Sequence, residues 1–437
     1  MNPWSKLFRS IVVCITLRCG APKPTELARG AIHAGQSGAN WSHVELAGLA
    51  CSRPSSTTST WLAKLSERPL EALSWCLQLV ARALVAWVSA DHDHYVLSVD
   101  QHLEEHRDPP PKERRSKNPE ALHNFLVKNT KKQGGTKWAL PLACGLLIWK
   151  HKGHEYRWPI FLRFLLPTQY IATNHHAIYT QAMDAVGITA TLSADAGFSY
   201  RSIVEAWLGE GRRFVIRVAF RRSGWQFFYD VQGKRHKVTT YMRRFAERKP
   251  LPPPFIVKVR GTPVLRSRRI KSIRGRFWPD GPLVNITFVA AYVVVNGKLV
   301  FSEKHCHVYV SHKGLSGEAA RQVFRRRWPV EVYFRQGRDD RPDWRAHNRN
   351  RFELYIGLHM LRTALGLLIQ ATMTGQGIEE LGKHKVGRFG IPLVTRSLLH
   401  HHEHGRVVRK HAPDPPPIPI DDAVRESTQR WLMLQQD

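Results

Sequence analysis

Along the first ninety or so residues apolar positions recur at helical spacing, and "LEALSWCLQLVARALVAWV" (70–88) is apolar enough to predict a well-buried helix. Before it, "SHVELAGLACSRPSSTTSTWLAKLSERPLEAL" reads as a short helix, a turn at "CSRPS" and a second helix carrying Trp61, Leu62 and Leu65, the outline of a helix-turn-helix. From residue 95 the period shortens. "YVLSVD" predicts a buried strand closed by Asp100, and the polar, proline-broken stretch after it predicts a loop with one helix at 119–128. "WALPLACGLLIWK" and "YRWPIFLRFLL", joined by "HKGHE", predict a hairpin. A helix, "HHAIYTQAMDAVG", stops at Gly187, and the strand "ITATLSAD" ends at Asp195. The order is strand, hairpin, helix, strand, with an aspartate closing the first and last strands.

"AGFSYRSIVEAWLGEG" predicts a helix with a glycine stop, and "RFVIRVAF" a further strand. Several β-like runs then follow from about 221 to 312, divided by "KPLPPPF": "GWQFFYDV", "FIVKVRG", "VNITFVAAYVVV" and "KLVFSEKHCHVYVS". About ninety residues of such sequence exceed any simple loop. From 316 the helical period returns, ending in an apolar helix at 353–373, a histidine cluster at 400–404, the connector "PDPPPIPI" and a short terminal helix. These patterns predict an α/β chain: a helical region at 1–90 with possible DNA-binding character, a mixed-sheet core at 91–220 resumed at 316–400, a β-rich insertion at 221–315, and a proline-rich tail at 401–437.

Charge narrows the class of partner. The chain has 66 Lys and Arg against 35 Asp and Glu, a formal +31. Such an excess opposes compactness by self-repulsion and is usually retained for a polyanion, nucleic acid first. The cations spread over 212–276 and 321–351 as a phosphate-following face would require. Six scattered cysteines form no zinc-type pairs and no disulfide framework, which suits a reducing cytoplasm. The N-terminal apolar run is interrupted by Arg18 and reads as an ordinary or poorly structured leader. "YIGLHMLRTALGLLIQATM" contains His359, Arg362 and Gln370, so it predicts a packed helix with no membrane span.

The candidate chemistry centres on "RRRWPVEVYFRQGR" (325–338), where one carboxylate, Glu331, sits among arginines. Phe324, Arg327, Glu331 and Arg338 lie at offsets 0, 3, 7 and 14, which on one uninterrupted helix is a single face. A surface glutamate paired with Arg327 or Arg335 is the plain alternative. Taken with Asp100 and Asp195, Glu331 completes three hard-oxygen groups of the kind that hold two divalent cations beside a phosphodiester, with the arginines clamping phosphates. Asp91 and Asp93 in "DHDH" rival Asp100, and Pro329 is placed to kink or start the helix that carries Glu331. "HCH" at 305–307 puts two histidines on one face of an expected strand, more an ordinary surface than a zinc site.

On these residues the chain resembles DDE transposases of the insertion-sequence-4 type, whose helix signature is Tyr, two residues, Arg, three residues, Glu, six residues, Lys. Phe324, Arg327, Glu331 and Arg338 fill that spacing, "SADAGF" resembles the segment of the second catalytic aspartate, Asp195, and "VLSVD" that of the first, Asp100. Phe324 departs by losing a hydroxyl and Arg338 by exchanging a point charge for a planar fork. The resemblance covers about 95–373. It implies a ribonuclease H-like core, two Mg²⁺ ions replaceable by Mn²⁺ on Asp100, Asp195 and Glu331, and DNA contacts from Phe324, Arg327, Arg335 and Arg338. It further implies cut-and-paste transposition on terminal inverted repeats and target DNA, by a homodimer at the nucleoid. Some relatives hold a flipped base on a tryptophan, for which Trp225 and Trp278 are the positions in the insertion, each equally read as core or surface. Two other readings stand beside it: a decayed copy that binds DNA without cutting, and a recombination or repair nuclease on the same fold.

Overall fold

The computed structural model describes residues 3–37, 60–61, 64–66, 68–90, 94–106, 122–129, 137–221, 224–259, 262–339, 349–373 and 413–435. The helix-turn-helix reading, the rivals Asp91 and Asp93, and the histidines at 400–404 lie largely or wholly outside these residues. In chain order the elements are α1 (Pro3–Arg18), α2 (Pro24–Ser37), α3 (Pro69–Trp87), β1 (Tyr95–His106), β2 (Val127–Asn129), β3 (Lys137–His151), β4 (His154–Phe164), α4 (Ala177–Val186) and β5 (Ala190–Ala194). There follow α5 (Arg201–Gly209), β6 (Phe214–Arg217), β7 (Phe227–Asp230), β8 (Arg235–Lys237), α6 (Val238–Ala246), β9 (Phe255–Val259), β10 (Thr262–Arg276), β11 (Val284–Val295), β12 (Lys298–Phe301) and β13 (His307–Ser311). The last are α7 (Gly317–Arg325), α8 (Trp328–Asp339), α9 (Arg349–Thr372) and α10 (Ile420–Leu434). The architecture is mixed α/β. Its chain divides into two units, one of 1–95, 100–189 and 329–437, the other of 96–99 and 190–328.

In the first unit β3 and β4 form the expected antiparallel hairpin. Its turn places Lys152 (φ 48°) and Gly153 (φ 82°) in the left-handed region that matches strand twist, and only the glycine accepts it without steric cost. β2 pairs with the start of β3. Within the described residues 122–129 of the helix expected at 119–128 stand a one-turn helix at Leu122–Phe125 and then β2, since a four-residue turn is too short to sustain an α-helix alone. α3 lies on β4, where Trp158 donates its indole N–H to Leu77 O (2.9 Å) and Ser74 donates to Leu162 O (3.0 Å). α4 ends as read, on Gly187 at φ 75°.

α1 is not a loose leader. Trp4, Leu7, Phe8, Ile11, Val12 and Ile15 make one buried stripe, and α10 closes over the helix through Trp4 Nε1 to Pro413 O (2.9 Å) and an Arg18–Glu426 pair (3.2 Å). α3 and α9 are long and apolar enough to cross a membrane, yet the qualifying stretch of α9 is wholly buried within the fold. Its interior carries Glu353, bonded to Arg349 at 2.6 Å, so α9 is a core helix with an internal ion pair.

The second unit is built on strands in the order β1 (its Val96–Val99 part), β5, β6, β13, β11, β10, β7, β8, with β12 on β11 and β9 on β10. β5 and β6 are parallel, and the pairs from β6 onward antiparallel. The expected β-runs appear as β7, β9, β11, β12 and β13. β10, the longest strand here, has no apolar run: "TPVLRSRRIKSIRGR" pairs with β11 over ten residues while half-burying its arginines except Arg274. Aromatic faces receive the guanidinium groups, Arg268 at 4.6 Å from the Phe255 ring centre and Arg269 at 5.7 Å from that of Phe245. One face of the sheet, with Val215, Val289 and Tyr309, packs beneath Ala320 and Val323 of α7.

Candidate functional site

Asp195 directly follows β5, whose five residues are all buried, and it caps the one-turn helix Ala196–Phe198. Its Oδ1 accepts the Gly197 N–H at 2.7 Å. A β-carbon at 197 would stand 2.9 Å from that same oxygen, so the glycine of "DAG" leaves the carboxylate its place. Turn chemistry, legible in the sequence, thus sets the direction of this side chain.

Asp100 does not close a strand. β1 continues six residues beyond it to His106, because pairing with neighbouring backbone supports polar residues that the apolar pattern alone would have excluded. Two residues on, and so on the same side of the strand, His102 stacks on Phe334 of α8 with ring centres 4.9 Å apart. Glu331 lies three residues before Phe334, on the same helical face. Both carboxylates are half-buried in the first unit. Nearby, burial and then the negative charge of Asp100 push the Cys144 thiol well above its ordinary value. The buried Tyr333 anchors α8 by donating its hydroxyl to Met360 O (2.9 Å).

The continuous helical face expected for 324–338 is absent. α7 ends at Arg325, a turn follows at 326–327, and α8 begins at Trp328. Pro329 accounts for the break: it has no N–H for the Arg325 carbonyl, and its ring would collide with that group. At the second position of a new helix the proline meets no such penalty. Phe324 therefore belongs to α7, half-buried against Tyr309 at 4.9 Å between ring centres. Arg327 is buried in the turn, its guanidinium 5.8 Å from the Phe324 ring. Arg335 and Arg338 follow Glu331 in α8, their side chains outside the described residues. Trp328, at the start of α8, is 56 % exposed.

Two residues absent from the sequence reading stand beside this turn. Ser98 and Ser193 are fully buried; Ser98 Oγ donates to Arg327 O at 3.1 Å, and Ser193 Oγ to Val323 O at 3.4 Å. The signal was present, since "LSVD" and "LSAD" place a serine two residues before each aspartate.

Cations crowd the α7 side of the second unit. Arg321 chelates Glu318 (2.9 Å from Nε to Oε2), and Arg268 lies 3.9 Å from the same carboxylate, which is held below the usual range chiefly by the Arg321 bond. Burial lowers Arg268 from the ordinary guanidinium value, and Arg321 and Arg325 add repulsion. Tyr309 beneath them is pushed up to about 12 by burial. "HCH" is not one strand face: His305 ends a one-turn helix and bonds Ser302 Oγ (2.7 Å), Cys306 is buried, and His307 opens β13. Trp225 is core, its indole N–H given to Ser199 O (2.8 Å), whereas Trp278 packs edge-on against it and stays half-buried.

Among the described residues no three His, Cys, Asp or Glu side chains form a ready group for a metal ion. By donor type the carboxylates of Asp100, Asp195 and Glu331 suit a hard divalent cation, which takes few protein oxygens and completes its shell with water and substrate phosphate. Residues 160–362, somewhat under half of the chain, match the family of the transposase DDE domain. The match encloses Asp195, Glu331 and the arginines of α8 and begins after Asp100. No curated protein matches the chain.

Proposed function

We propose that the protein is a DDE transposase of the insertion-sequence-4 type, with a ribonuclease H-like catalytic core that cuts the ends of a mobile element and joins them to target DNA. The observation that carries this reading is the transposase DDE domain match over 160–362, enclosing two of the three carboxylates. Asp100 is brought to it by local geometry. It lies two residues from each of two contacts, Ser98 with Arg327 and His102 with Phe334, and Glu331 lies between the residues those contacts reach.

Asp100, Asp195 and Glu331 would hold two Mg²⁺ ions, or Mn²⁺ in their place, a group that activates a water or 3′-hydroxyl and stabilises the leaving oxygen of a phosphodiester. The protein's own work is positioning. The Gly197 amide keeps one Asp195 oxygen in place, leaving the other for a ligand. Arg327, Arg335 and Arg338 hold phosphates, and Phe324 stands where the signature has tyrosine, offering a ring without a hydroxyl. The +31 charge draws duplex DNA carrying the terminal repeats, with a homodimer pairing two ends.

That no preformed three-ligand group occurs among the described residues favours one competing reading, a copy that binds DNA without cutting. Strand cleavage of oligonucleotides carrying the flanking inverted repeats separates the two. Mg²⁺-dependent nicking by the wild type, lost by about three orders of magnitude or more in Glu331→Gln, supports the transposase; equal cleavage by the variant, or cleavage without divalent metal, removes Glu331 from the chemistry.

A further inference from the structure

Ser98 and Ser193 occupy the same place in the same tetrapeptide, Leu-Ser-apolar-Asp, on strands adjacent in the sheet of the second unit. Both are fully buried, and their hydroxyls leave the strands for two carbonyls, Ser193 for that of Val323 in the last turn of α7 and Ser98 for that of Arg327 in the turn after it. Those carbonyls lie where helical bonding fails. Val323 O is already shared with the Arg326 N–H (3.1 Å), and Arg327 N–H closes a tighter turn onto Phe324 O (2.9 Å). The Arg327 carbonyl has a second role. It directly precedes α8, and in an α-helix the acceptor for a residue's N–H is the carbonyl four residues earlier. For Arg327 that residue is Glu331.

We propose that Ser98 and Ser193 are positioning residues that clamp the α7–α8 turn to the strands bearing Asp100 and Asp195, fixing where the chain departs towards Glu331. This rests on the transposase reading for its purpose, though not for its geometry. A buried serine placed only to fill space would be replaced by alanine at little cost to anything but packing. Ser98 holds the carbonyl that helical geometry assigns to the Glu331 amide, at the entry to α8, while Ser193 holds the last turn of α7 before it. Pro329 gives the clamp its place, since it ends α7 and leaves the turn at 326–327 without continuous helical bonding to hold it.

The test uses Ser98→Ala and Ser193→Ala in the full chain, with Ser74→Ala as a comparison. Ser74 makes bonds of the same kind, to Leu70 O and Leu162 O, in the other unit. Amide hydrogen exchange without DNA or metal is expected to accelerate across 326–331 in the first two variants only. Cleavage at saturating DNA is expected to fall roughly ten- to a hundredfold in them with DNA affinity unchanged, the size a displacement of about an ångström produces. Ser74→Ala is expected to lower Tm and leave cleavage intact. Unaltered exchange at 326–331, full cleavage by the two variants, or an equal cleavage loss in Ser74→Ala overturns the clamp. If an alanine variant does not fold, the cysteine variant, of similar volume and weaker donor strength, replaces it. A wild type that never cuts overturns the transposase reading instead, and the exchange result then decides the clamp alone.

Discussion

Asp195 shows how much chemistry one backbone amide can arrange. Its Oδ1 is held by Gly197 N–H, and a β-carbon there would press on that oxygen, the freely rotating end of a side chain. Gly197→Ala is therefore expected to change stability by less than about 1 kcal/mol while turning the carboxylate, with strand cleavage down at least about tenfold; denaturation midpoints and single-turnover rates measured together check both halves. His307 illustrates the opposite case, in which no sequence pattern warns of the environment. Burial first, then Arg217, His305 and Arg321, lower its pKa to about 4, and its Nδ1 is buried without a hydrogen-bond partner. The unfolded chain takes up this proton near its ordinary value of about 6.5 and the folded one only near 4, so the folded state loses stability as pH falls through that window, by about 3 kcal/mol for this group. Urea midpoints between pH 7 and 4 are expected to fall less steeply in His307→Gln than in the wild type. Of these features the Asp-x-Gly turn and the paired Leu-Ser-x-Asp strings were legible in the sequence. The His307 environment was not, because it depends on burial and on Arg217, ninety positions away.

At the scale of elements, proline and hydrophobic period were reliable where they acted locally. The hairpin at 152–153, the stop at Gly187 and the apolar helices followed from them. Two elements depart from the expected pattern, one for a local reason and one through packing. The single face expected from the signature spacing needs one helix, and Pro329, placed to start the helix of Glu331, breaks it at 326–327. β10 has no apolar run to announce it, and the rings of Phe245 and Phe255 that receive its Arg269 and Arg268 guanidinium groups are invisible before the strand is paired. α9 supplies a test of the buried ion pair at its start. Arg349 and Glu353 are 5 % and 1 % exposed, and burial raises the Glu353 pKa while Arg349 opposes it. Glu353→Gln strips the guanidinium of its counter-charge and is expected to cost about 3 kcal/mol or more in urea denaturation, whereas Arg349→Met with Glu353→Leu regains most of that loss.

For the molecule as a whole, composition pointed to the partner and topology explains why the site was only partly readable. A formal +31 and cations concentrated on β10 and α7 fit a phosphate backbone, in agreement with the transposase DDE domain match. The division of the chain at 95/96, 99/100, 189/190 and 328/329 has no compositional marker, because it depends on which strands pair across long separations. Carboxylates 100, 195 and 331 are proposed from spacing and resemblance, while the partners of the two serines and the stacked His102–Phe334 pair emerge only with the fold. The central claim is that these three carboxylates share metal ions when DNA is bound. Fe²⁺ loaded in place of Mg²⁺ in the complex with terminal-repeat DNA, then treated with ascorbate and peroxide, cuts the polypeptide beside its ligands. The expected result is three sets of backbone cuts, around 100, 195 and 331, all suppressed by excess Mg²⁺; cuts confined to one of these segments, or indifferent to Mg²⁺, would contradict it.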